Sequence, residues 1–157
     1  MVLIKNFVLI KKNLKLPHLK TKIMNKDELT LYGDQLLVSV LAQFEGYSFK
    51  IRNESEIIKA FYDADRTGNF KQLFKNYTFD VDGVEIKSSV LEEAIDSLQQ
   101  TRLLGRDNPD LKEYRIRFAV RIRYDKFIKD NINRDTENKI KELSSFVNKK
   151  LNFTKIS

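Results

Sequence analysis

The 157 residues carry 29 Lys and Arg against 22 Asp and Glu, a formal net charge of +7, with 41% hydrophobic residues, five Gly and two Pro; this is the composition of one globular domain and excludes disordered, fibrous and multidomain chains. No Cys is present and His18 is the single His, so a disulfide scaffold, a thiolate zinc site, a cysteine nucleophile and a His cluster for metal are excluded together. No apolar run approaches the ~20 residues that span a bilayer, and a cytoplasmic protein without cofactor or metal is expected.

Residues 1–24 hold six Lys and no acid. Their apolar start is split by Lys5 and Asn6 and closed by Lys11 and Lys12 with no small-residue cleavage site, which argues against a secretory signal and for a basic N-terminal arm or strand. Residues 25–157 are expected to form a single α+β domain, since no repeat, low-complexity tract or Pro/Gly-rich linker divides them. Charge is uneven along it: residues 25–101 hold eight basic and fourteen acidic side chains, residues 102–126 eight and four.

Asn25 or Asp27 can cap a helix in which Leu29, Tyr32, Leu36, Leu37, Val40, Leu41 and Phe44 recur at three and four residues, ending at Gly46. Asn53 with Glu56 makes a capping box ahead of Ile57, Ile58, Phe61 and Ala64, and Thr67-Gly68-Asn69 stops that helix. Phe70, Leu73, Phe74 and Tyr77 predict a further helical turn or two. The period then changes: Tyr77, Phe79 and Val81 alternate with polar residues, and Asp82-Gly83 has the chemistry of a two-residue turn before Val84 and Ile86, a β-hairpin. Ser89 with Glu92 forms a second capping box, opening a helix with the stripe Val90, Leu91, Ala94, Ile95 and Leu98 that ends near Gly105.

From Tyr114 to Tyr124 the alternation is strict. Tyr114, Ile116, Phe118, Val120, Ile122 and Tyr124 share one parity and Arg115, Arg117, Arg121 and Arg123 the other, which predicts a long amphipathic strand with a buried face and a guanidinium face. Six of the nine Arg lie between Arg102 and Arg123. Such a face is answered either by acids of neighbouring elements or by phosphates, to which Arg offers planar bidentate donors. Last, Ile140, Leu143, Phe146, Val147 and Leu151 recur at helical spacing in a C-terminal helix at about 134–153, which packs on the core or joins a homodimer.

Two family resemblances follow. The order of helices leading to Ser88–Leu98, then Leu103-Leu104-Gly105-Arg106, a loop and a strand, resembles a winged-helix domain over residues 27–124. That resemblance implies a third helix in the major groove and a hairpin after it as the wing. The helix carries Glu92, Glu93 and Asp96, which phosphates repel, so contact would shift to Arg106, the Arg strand and the N-terminal Lys. The run Asp80-Val81-Asp82-Gly83-Val84-Glu85-Ile86-Lys87 is similar to the core of PD-(D/E)xK nucleases; the resemblance implies Asp80 or Asp82 and Glu85 as Mg²⁺ ligands and Lys87 orienting water. The spacing between the acids is shorter than in that family.

The fold expected is therefore α+β, helices flanking a small antiparallel sheet in winged-helix-like order (β-hairpin, helix, long amphipathic strand). The function expected is non-enzymatic nucleic-acid binding, as a regulator or accessory factor, through Arg106, Arg115, Arg117, Arg121, Arg123, Lys11 and Lys12. The alternative is a protein-interaction module, an inhibitor or adaptor, using Glu92, Glu93 and Asp96; a Mg²⁺-dependent nuclease with Asp80, Glu85 and Lys87 comes third.

Overall fold

The computed structural model describes residues 30–44, 48–50, 54–107 and 113–151. Lys11, Lys12 and the rest of the basic arm lie outside the described residues, as do Asn25, Asp27, Gly46 and Asn53. The described chain is α+β: helices α1 (Asp34–Leu41), α2 (Ser55–Arg66), α3 (Ser89–Gln100), α4 (Phe118–Phe127) and α5 (Arg134–Leu151), strands β1 (Ser48–Lys50), β2 (Asp80–Asp82), β3 (Glu85–Lys87), β4 (Leu104–Asp107) and β5 (Glu113–Ile116).

Helix α1 is buried from Leu36 through Leu41 on every side, as a short, nearly all-apolar segment must be. It packs against α3, α4 and α5. The amphipathic helices around it each turn one stripe inward: Ile57, Ile58, Phe61 and Ala64 of α2, Leu91, Ala94, Ile95 and Leu98 of α3, and Ile140, Leu143, Val147 and Leu151 of α5. The stripe of the C-terminal helix thus lies in the hydrophobic core of its own chain. The one polar group buried in it, Ser144, donates to the Val40 carbonyl of α1 at 3.0 Å, so no lone hydroxyl is left between the two helices.

Between α2 and α3 the segment 70–77 forms successive tight turns rather than a helix: Leu73 N–H donates to Phe70 O, Phe74 to Lys71 O and Tyr77 to Phe74 O. Aromatic packing holds it, with Phe74 edge-on to Phe61 and Tyr77 at 6.1 and 5.8 Å between centroids and the Tyr77 hydroxyl donating to Gly33 O at 2.5 Å. The following hairpin pairs Asp80 with Lys87 and Asp82 with Glu85, so its turn is Gly83-Val84, one residue later than Asp82-Gly83. Gly83 has φ +61 and Val84 does not share that sign, the pattern of a turn with Gly first. The second capping box also shifts: Ser88, extended at φ −150, is the cap residue of α3, Ser89 is already helical, and no side-chain cap bond forms.

The largest departure from the sequence pattern falls on the Arg-rich run. Strand β5 ends at Ile116 and helix α4 begins at Phe118, with Arg117 extended at φ −77, ψ 147 between them. The reason is the shape of the neighbour. In the sheet order β1-β5-β4, Leu104 pairs with Ile116 and Arg117 N–H still reaches Leu103 O at 2.9 Å. Beyond Leu103 the chain on that side turns back into α3 through Arg102, which has φ +58, so among the described residues β4 offers no further edge to pair with. Backbone groups from residue 118 onward bond among themselves instead, and a helix is the arrangement that does so. In that helix the apolar parity splits. Val120 and Tyr124, four apart, are buried at 0% and 2% exposure, while Phe118 and Ile122 are 63% and 51% exposed.

Candidate functional site

With the strand broken at Ile116, the four Arg of one parity no longer share a face. Arg123 pairs with Asp34 in the first turn of α1, Nη2 to Oδ2 at 2.7 Å. Arg121 donates from Nη1 to Ala42 O at 3.0 Å and lies 3.4 Å from Asp125. Ala42 closes the C-terminal end of α1, where a cation meets both an orphan carbonyl and the negative end of the helix dipole. Arg121 and Arg123 thus fasten α4 to the two ends of α1. Arg115 lies on the exposed face of β5, between the buried Tyr114 and Ile116.

Arg106 and Arg117 meet a third arginine that the sequence pattern did not single out. An open basin of about 690 Å³ lies along β4 and is lined by Gln99, Arg102, Leu104, Gly105, Arg106 and Arg117. Strand β4 stands at the end of its sheet, and among the described residues its outer side pairs with no strand. Gly105 makes the close approach of Arg117 feasible: a Cβ there would sit 3.0 Å from Arg117 Nη2 and 3.2 Å from Nε. The guanidinium lies across bare backbone.

Arg102 reaches the basin through the end of α3. Leu103 N–H donates to Leu98 O at 2.9 Å and Arg102 N–H to Gln99 O at 3.0 Å, the paired bonds that close a helix with a left-handed residue. Glycine is the usual occupant; here it is Arg102, at φ +58, exposed and without an ion pair among the described residues. A side chain in that conformation costs roughly 1–2 kcal/mol. The signal in the sequence was the absence of Gly after Leu98-Gln99-Gln100-Thr101, which a reading that ran the helix on to Gly105 passes over.

The Arg106 guanidinium is partly answered. Arg106 stacks over the Tyr114 ring, 4.8 Å from its centroid, donates to the Tyr114 hydroxyl, and pairs with Glu54 Oε1 at 2.5 Å. The same Glu54 oxygen accepts from Gln99 Nε2 and from the Tyr114 hydroxyl, each at 3.1 Å. Glu54 therefore orients the floor of the basin and removes one charge from it. Burial, with the Glu54 carboxylate beside it, pushes the Tyr114 phenol up to about 12 from an ordinary 10. An acid whose folded value is raised stabilises the fold below its unfolded value and loses that contribution as pH rises through the folded one. Urea denaturation is expected to show stability falling between pH 10 and pH 12, with a shallower fall in Tyr114→Phe.

The other candidates stay apart from this basin. Glu93 and Asp96 are exposed on α3 and Glu92 is half-buried; among the described residues none of the three makes an ion pair. Asp80, Asp82, Glu85 and Lys87 share one face of the β2–β3 hairpin by register, and Lys87 lies 3.4 Å from Glu85. The nuclease-like run is an exposed hairpin turn with this local ion pair; among the described residues no group of three His, Cys, Asp or Glu side chains comes close enough together to hold a metal ion. No helix of the described residues is long and apolar enough to cross a membrane. Comparisons of the chain with protein-family models, with curated proteins and with solved structures give no match.

Proposed function

We propose that this is a non-enzymatic nucleic-acid-binding protein, a regulator or accessory factor acting in the cytoplasm, which tracks the phosphate backbone with the arginines at the edge of β4. The observation that carries the reading is the convergence of Arg102, Arg106 and Arg117 on one open basin. Each guanidinium offers a planar fork of donors matched to phosphate oxygens, and Arg102 occupies a position where its backbone conformation works against stability. Arg115, on the exposed face of β5, extends the cationic surface. The order of elements adds support: α3 is followed directly by the β4–β5 hairpin, as the winged-helix resemblance implies for the helix and its wing. The acids Glu93 and Asp96 on α3 favour contact on the hairpin side over contact on that helix, so binding is expected to depend on charge more than on base sequence.

Fluorescence anisotropy with labelled duplex and single-stranded oligonucleotides tests this. About three phosphate contacts give a slope of log K against log salt near −3, a loss of roughly 40-fold between ~50 and ~200 mM. Arg102→Ala and Arg117→Ala are each expected to weaken binding to all sequences alike and to reduce the slope by about one. No binding at low salt overturns the reading and leaves the acidic face of α3, with Glu92, Glu93 and Asp96, as the docking surface for a basic protein partner.

A further inference from the structure

Arg117 borders two cavities. One is the basin at Gly105; the other is a narrower apolar hollow of about 260 Å³ between the C-terminal end of α1, the end of β5 and the first turns of α4. Leu41, Phe44, Ile116 and Val120 supply its walls and Phe118 stands beside them. Among the described residues, the charged groups lining it are Arg117 and Arg121. The volume lies below the ~300–1,000 Å³ typical of sites for drug-sized ligands and above the ~150 Å³ that holds one benzene. A body of about one ring fits it.

The chemistry of the lining narrows the occupant further. Apolar walls favour a hydrocarbon body, and two arginines among the lining residues, Arg121 and Arg117, the latter with its guanidinium lying across Gly105, favour a carboxylate, which accepts two parallel N–H bonds from Arg. Arg121 is held in place beforehand by its bond to Ala42 O, so little ordering remains to be done on binding. Phe118, 63% exposed, leaves most of a ring in water that a bound body would cover. We propose that this hollow binds a small carboxylate with an apolar body of about one ring, its carboxylate on Arg117 and Arg121, and that the bound ligand draws Arg117 away from the Gly105 basin. The ligand is then a negative effector of phosphate binding, because a group shared by two sites couples them reciprocally. The second half rests on the phosphate-binding reading of the basin; the first does not.

Benzoate is the probe, with benzamide as its uncharged counterpart and acetate as the anion without a ring. Methyl NMR of Ile116 and Val120 is expected to show saturable benzoate shifts, with benzamide and acetate weaker by about tenfold or more, a difference of ~1.4 kcal/mol. Arg117→Gln and Phe118→Ser should weaken benzoate; Phe118 is exposed, so the second variant keeps the fold. In anisotropy, saturating benzoate is expected to lower oligonucleotide affinity by about fivefold or more relative to acetate at the same ionic strength, with a salt slope smaller by about one. No saturable shift up to ~10 mM, weaker than the millimolar range, overturns the ligand site whatever the oligonucleotide does. Saturable benzoate shifts with no oligonucleotide binding at any salt overturn the nucleic-acid reading and leave the ligand site standing. Benzoate and oligonucleotide binding with no mutual effect overturn the coupling through Arg117.

Discussion

Tyr124→Ala is expected to destabilise the protein by about 3–5 kcal/mol, the range for deleting a large buried aromatic side chain, while Phe118→Ala changes stability by no more than about 0.5 kcal/mol, as exposed positions do. Both residues have the same parity, and a continuous strand from Tyr114 to Tyr124 would bury both. The helix buries Tyr124 and Val120, one turn apart, and turns Phe118 and Ile122 outward. Urea melts of Phe118→Ala, Val120→Ala, Ile122→Ala and Tyr124→Ala separate the two arrangements, since the helix predicts two costly and two nearly silent variants. Four comparable losses would restore the strand.

That run shows how much of the fold the residues declare by themselves. In three helices pattern and structure agree closely: the buried stripes of α2, α3 and α5 follow those read from spacing alone, with Val90 and Phe146 only partly buried. The α+β class follows from those stripes and the Val81–Ile86 hairpin. Alternation at Tyr114–Tyr124 is as regular as any stripe, yet a strand needs a partner edge as well as a pattern. The edge offered by Leu103 and Leu104 ends where α3 arrives, a fact about residues more than ten positions away. Aromatic packing has a similar effect at 70–77, where contacts with Phe61 and Gly33 hold turns in place of a helix.

The candidate site was legible by composition and not by position. A cluster of arginines between Arg102 and Arg123 is plain in the sequence, but which of them face one another depends on caps and ion pairs. Asp34 engages Arg123 and the carbonyl of Ala42 engages Arg121. Glu54, 52 residues before Arg106, decides how much of that cation remains for a ligand. Spacing carries no trace of a partner that distant. Arg102 was visible only as a charge, because its importance lies in a backbone angle.

The sharpest test of the basin uses that angle. Arg102→Gly is expected to leave the protein as stable or more stable by up to about 1.5 kcal/mol, since relief of the left-handed conformation, ~1–2 kcal/mol, matches or exceeds the added chain entropy of Gly, ~0.4–1 kcal/mol. The same change removes a guanidinium from the basin and should lower oligonucleotide affinity severalfold, with the salt slope reduced by about one. Glu54→Gln is expected to move both quantities the other way. It exchanges the carboxylate that Arg106, Tyr114 and Gln99 share for a neutral amide, costing about 1–2 kcal/mol for a charged hydrogen bond at a partly exposed site, and it frees Arg106 to strengthen phosphate binding. A chain in which Arg102 serves only to close α3 predicts no such opposition: Arg102→Gly would gain stability and bind as before. Thermal melts and anisotropy on the same two variants decide it, because affinity must fall at Arg102 without loss of stability, and rise at Glu54 with a loss of stability, if the basin is where the phosphates sit.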